Sequence, residues 1–139
     1  MRITGFVFLL GYIVMVGVAS FLQKFAMKDL SAYQINFFMF IGMLLTAIPA
    51  LLLAERTLAI PLSALPLGMT IGLLMALGSL SYVLAIARLP VGLAATVAAS
   101  YLLVVVLLSW LFLDEPMSAL KITGIVLTVI GVAILSVEA

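Results

Sequence analysis

The chain has 139 residues, 68% of them hydrophobic and only 8% charged, where a soluble domain carries about 25% charged residues. A water-soluble fold of this size would have nothing with which to cover its surface. With no Cys, no His and a formal net charge of +1, disulfides, thiolate or imidazole metal sites and redox chemistry are excluded, and no strong field is left to attract nucleic acid; we expect no cofactor, no metal and no nucleic-acid partner.

The ionisable residues gather at Arg2, Lys24 to Asp29, Glu55/Arg56, Arg88, Asp114/Glu115, Lys121 and Glu138, with long uncharged stretches between them. That is the pattern of membrane spans and short loops, each span needing about 20 apolar residues to cross about 30 Å of hydrocarbon. The first helix is expected over residues 3–27. Its apolar stretch is longer than the core of a signal peptide and is followed by no small-x-small cleavage site, so it reads as a span. The second, over 32–54, carries Asn36 near its start and Pro49 well inside, where the missing amide frees the carbonyl of Leu45 and Thr46 is placed to help satisfy the backbone. Residues 55–64, with Arg56, Pro61 and Ser63, are too short and mixed to span and belong at the interface. The third helix is expected over 65–88 and the fourth over 90–113, divided by Arg88-Leu89-Pro90, with Pro90 opening the fourth. The fifth, over 117–137, follows the turn Asp114-Glu115-Pro116, which sets negative charge at the positive end of the helix dipole. The fold class is therefore all-α: a polytopic transmembrane helical bundle of about five spans forming one domain, 1–139. A membrane β-barrel is excluded, because its strands would alternate apolar and polar residues and these runs are solidly apolar.

Helices in lipid associate through close packing, so small residues mark candidate contact faces. Gly68, Gly72 and Ala76 form such a stripe on the third helix, Gly92, Ala95 and Ala99 on the fourth, and Gly124 and Gly131 on the fifth.

Polar side chains carry whatever chemistry remains, since a polar group in hydrocarbon is costly unless paired or wetted. Tyr12, Ser20 and Gln23/Lys24 share a face of the first helix, Ser79 and Tyr82 a face of the third, and Thr96 and Ser100, with Tyr101 adjacent, a face of the fourth. With Asn36, these converge at mid-depth in the functional reading and make a weakly polar, aromatic-lined cavity for a neutral or zwitterionic metabolite. In the bland reading the hydroxyls bond back to their own helices and the tyrosines anchor at the interfaces, as Trp110 and Phe112 do. Lys24 and Arg88, near helix ends, can snorkel to the interface.

The string "AIARLPVGLAATVAASYLLVVVLLSWLFLDEPMSALKITGIVLTVIGVAIL" resembles the EamA repeat of the drug/metabolite transporter superfamily. In that repeat a helix ending in a basic residue and Pro leads into a small-residue-rich helix, an acidic turn and a last helix of the form small-Gly-x-x-L-x-x-x-Gly. The matching features here are Arg88 and Pro90, Gly92 to Ser100, Asp114-Glu115-Pro116, and Gly124, Leu127 and Gly131. "GVASFLQKFAMKDLSAYQINFFMFIG" is similar to the family's first hairpin. Typical members have two repeats and ten spans, so the chain resembles one half, as in five-span bacterial and archaeal transporters of the superfamily. The resemblance implies a transporter of small metabolites working by alternating access in a prokaryotic inner or plasma membrane, with no enzyme activity. Two departures bear on mechanism. Many relatives carry a Pro after the Ser-Tyr of the fourth helix where this chain has Leu102-Leu103-Val104, so no hinge is expected there. The four-span multidrug relatives carry a Glu in their first helix and residues 3–23 here contain no acid, which removes the basis for proton-coupled export of cationic drugs.

Five spans place Arg2, Arg56 and Lys121 on one side and Lys24, Lys28 and Arg88 on the other, a balance that leaves the positive-inside rule little to act on. A transporter usually needs two repeats related by inversion; two oppositely inserted copies would provide them, so an antiparallel homodimer is expected. The competing readings are a membrane subunit that transports nothing and a flippase for a polyprenyl-linked lipid.

Overall fold

The computed structural model describes residues 2–55, 60–114 and 116–137. The expectations placed on Arg56 and Glu115 lie outside the described residues. Among those described there is helix and turn but no strand. Among the described residues six α-helices run in chain order: α1 Arg2–Ala26, α2 Ala32–Glu55, α3 Leu65–Arg88, α4 Val91–Ala98, α5 Tyr101–Phe112 and α6 Ala119–Val137, with a short 3-10 helix at Leu62–Ala64. Four stretches are long and apolar enough to cross a membrane: Gly5–Ala26, Ala32–Glu55, Leu62–Arg88 and Val91–Phe112. The apolar part of α6 is shorter, Ala119–Leu135, though the whole helix rises about 28 Å, close to the thickness of the hydrocarbon core. The protein is all-α and polytopic, and it divides into two compact units, Met1–Arg88 and Leu89–Ala139.

In the first unit α3 packs against both α2 and α1. The buried side chains, Ile35, Val83 and Ile86 with the polar Ser20, Gln23 and Asn36, belong to the last two turns of α1, the first two of α2 and the last two of α3. Most of the other side chains on these helices are exposed, as lipid-facing residues are. The turn from α1 to α2 is set locally. The Ser31 hydroxyl accepts from the Gln34 amide at 3.2 Å while Gln34 Oε1 accepts from the Ser31 amide at 2.8 Å, a reciprocal capping box that satisfies two amides α2 would otherwise leave open. Helix α2 runs unbroken through Pro49. Thr46 does not serve the Leu45 carbonyl as expected: its hydroxyl bonds back to Gly42 and Met43 at 3.1 and 3.0 Å, because the χ1 rotamers open to a helical threonine aim Oγ1 at the preceding turn.

In the second unit α4 and α6 pack together. The fourth span runs over Val91–Phe112 and is interrupted by a turn between α4 and α5. Pro90 stands just outside the first turn at φ −56° and ψ 135°, and its carbonyl accepts from the Ala94 amide at 3.0 Å. Near the middle of the span the backbone tightens. The amides of Ser100, Leu102 and Leu103 bond to the carbonyls of Val97, Ala99 and Ser100, at 3.0, 3.1 and 3.0 Å, three residues back instead of four. Such 3-10 turns bring residues i and i+3 into line. Each aligned pair here includes Ala99 or Ser100, so crowding is slight and the turn forms without Pro or Gly. The absence of proline in Leu102-Leu103-Val104 therefore does not keep this span regular. Ser118 caps α6, its hydroxyl accepting from the Lys121 amide at 3.3 Å.

Among the described residues, a methyl group built on Gly68, Gly72, Gly92, Gly124 or Gly131 would meet nothing within 4 Å, so the glycines of the small-residue stripes leave room for close approach.

Candidate functional site

The first unit places five of the sequence-predicted polar residues on one end of three helices. Ser20 and Gln23 lie one turn apart on α1, and Asn36 lies on the second turn of α2; all three are buried, at 8, 9 and 8% exposure. An amide or hydroxyl withdrawn from water without a partner costs about 1–3 kcal/mol, so each partner matters. Asn36 Oδ1 accepts from the Ser79 hydroxyl of α3 at 2.9 Å, a bond that ties α2 to α3 from side chain to side chain. Gln23 Nε2 donates to the thioether sulfur of Met39 at 3.2 Å, which ties α1 to α2. Its Oε1 is buried with no hydrogen-bond partner among the described residues.

Lys24 takes a role the sequence reading did not contain. Its ammonium donates to the carbonyl of Ile86 at 2.6 Å. The cause is in the chain: the Ile86 carbonyl would ordinarily accept from the amide four residues on, which is Pro90, and proline has none. The carbonyl also lies at the negative end of the α3 dipole, where a cation is favoured. Arg88, at the end of α3, is exposed.

The remaining predicted residues are elsewhere or engaged locally. Tyr12 is 52% exposed and lies about 12 Å along α1 from Ser20. Tyr82 is half-buried on α3 one turn after Ser79. In the second unit, the Thr96 hydroxyl bonds back to the Gly92 carbonyl at 2.8 Å, Ser100 is half-buried at the tightened turn, and Tyr101 is 54% exposed. The buried group also lies nearer one end of the helices than mid-depth: Gln23 is three residues, about 5 Å, from the end of α1.

Two participants were missed. Met39 sits one turn beyond Asn36 on α2, a register visible in the sequence, but an apolar residue gives no polar signal. The Ile86 carbonyl was discoverable by counting four residues back from Pro90.

A family profile for EamA-like transporters matches residues 3–137. The chain belongs to the EamA-like transporter family. No curated protein and no solved structure matches it. As an EamA-like transporter it is a multi-pass membrane protein with its apolar helices in contact with lipid, and its family consists of transporters and not enzymes. No group of His, Cys, Asp or Glu that could hold a metal occurs among its described residues. The chemistry of the site is hydrogen bonding: one side-chain amide with an acceptor to give, a second tied to a hydroxyl, and an ammonium fixed at a helix end.

Proposed function

We propose that this transporter moves a small neutral or zwitterionic metabolite across a prokaryotic cell membrane by alternating access, and that it works as a dimer of half-size units, each chain being one EamA-like domain over 1–139. The observation that carries the substrate class is the burial of Ser20, Gln23 and Asn36 in helices otherwise faced with apolar residues. Polar side chains kept inside membrane helices mark solute paths, because hydrophobic residues would stabilise the same packing at less expense. Hydrogen-bonding amide and hydroxyl groups suit a solute of low net charge. Tyr12 and Tyr82 of the first unit are the further candidates for lining the path.

The dimer is supported by the room left at Gly68/Gly72 and at Gly124/Gly131, where a second helix could approach closely. The antiparallel arrangement is favoured by the three-against-three balance of cations and by the need for an inverted pair to open the site alternately. The test is uptake by proteoliposomes across a metabolite panel, alongside Asn36→Leu. At least one low-charge metabolite should enter faster than in protein-free vesicles and at least tenfold more slowly with the variant; uptake at the protein-free rate across the whole panel would defeat the reading.

A further inference from the structure

We infer that Gln23 Oε1 is the acceptor for a hydrogen-bond donor on the transported solute, which selects solutes bearing a neutral hydroxyl, an amide N–H or an ammonium N–H over anions and over donor-free molecules. The inference rests on the transporter reading and adds to it both a contact atom and a substrate class.

The orientation of the Gln23 amide follows from its neighbour. The Met39 sulfur, 3.2 Å from Nε2, can accept a hydrogen bond and cannot donate one. Rotating the amide would set oxygen against sulfur and forfeit that bond, so Oε1 is directed away from Met39. Two neighbouring polar groups are engaged with each other or with the backbone: Asn36 Oδ1 accepts from the Ser79 hydroxyl and the Lys24 ammonium donates to the Ile86 carbonyl. Gln23 Oε1 is buried with no partner among the described residues, on a side chain only 9% exposed. A carbonyl oxygen carries partial negative charge, so it attracts an O–H or N–H and repels a carboxylate or phosphate.

Burial of this acceptor also links this arrangement to loading. The arrangement seen here, with Oε1 buried, is disfavoured without a donor and relieved of that penalty with one. A donor-bearing solute should therefore shift the balance toward this arrangement by roughly 5- to 100-fold, the equilibrium equivalent of leaving a buried acceptor unmet. A donor-free solute of the same size gives no such shift.

The test uses full-length protein in detergent and the variant Gln23→Met, which keeps the side-chain length and has no amide oxygen. The unloaded variant should unfold at a higher temperature than the unloaded wild type, an outcome that a purely structural Gln23–Met39 tie does not produce. The probes are the twenty amino acids and a set of sugar alcohols, with trimethylated glycine as the donor-free control. A donor-bearing probe should stabilise the wild type and bind Gln23→Met at least fivefold more weakly. The inference is overturned if the variant is no more stable than wild type, as when a resident water already meets Oε1. It is overturned equally if probes stabilise both proteins alike, if none stabilises the wild type, or if only anions or trimethylated glycine do. Gln23→Leu carries the same expectations, and failure of both apolar variants to fold also overturns it. Liposome uptake separates this inference from the parent reading: equal transport by wild type and variant overturns the acceptor role alone. Donor-dependent binding with no uptake by the wild type overturns transport and leaves the acceptor in place.

Discussion

Replacing Lys24 with Met should loosen α1 from α3 by an amount that can be worked out in advance. The substitution keeps an unbranched side chain of similar length and removes the donor 2.6 Å from the Ile86 carbonyl. Neutral hydrogen bonds between membrane helices average about 0.6 kcal/mol. This one is charge-assisted, a class that contributes about 1.5–3 kcal/mol, and it sits at a helix C-terminus, where a cation adds about 0.3–1 kcal/mol. Lys24 is half-buried, so solvent screening reduces both terms, and about 1.5–2 kcal/mol is expected, a shift of roughly 10- to 30-fold in the unfolding equilibrium. Denaturation by SDS in mixed micelles, followed by far-UV circular dichroism, reads it. Lys28→Met provides the control: its ammonium lies 4.5 Å from the Phe25 ring centroid in the exposed turn, a cation–π contact of about 0.5–1 kcal/mol at most. Pro90→Ala should recover part of the loss in the Lys24→Met background, by restoring an amide four residues beyond Ile86. If Lys24→Met unfolds with the wild-type midpoint, or if Lys28→Met is the more damaging of the two, the capping argument is wrong.

Three further outcomes follow from the geometry. Ser31→Ala removes one half of the capping box and should destabilise the protein by about 0.5–2 kcal/mol in the same titration, whereas Ser81→Ala, which removes only a bond to its own helix at Leu77, should be nearly silent. Ser79→Ala leaves the buried Asn36 Oδ1 without its donor and should cost about 1–2 kcal/mol; combining it with Asn36→Leu should cost less than the sum, and strict additivity would contradict the contact. Single cysteines introduced at either terminus of a chain with no native Cys should label from opposite sides of the membrane within one molecule, as five crossings require, and labelling of both ends from the same side would refute that count.

The class of this protein was written in its composition. Residues this apolar, interrupted by charge only in a few short clusters, have one stable environment, and backbone groups in lipid must pair within their own helix. Hence the all-α class and the family resemblance were legible without coordinates. Side-chain partners were not, because they depend on which helix faces reach one another. Periodicity put Ser20 and Gln23 on one face of α1, but only tertiary packing shows that Asn36 takes its hydrogen bond from Ser79, that Met39 fixes the Gln23 amide, and that the Gln23 oxygen is left unmatched. The tightened turn at Ala99–Ser100 escaped pattern reading for a related reason: it follows from a small difference between two hydrogen-bonding patterns that the same residues can adopt. Lys24 marks the boundary between the two kinds of information. Pro90 had already withheld the amide that the Ile86 carbonyl needed, a covalent fact readable in the chain, while the donor that answers it comes from 62 residues away, and only the packing of α1 on α3 could select it.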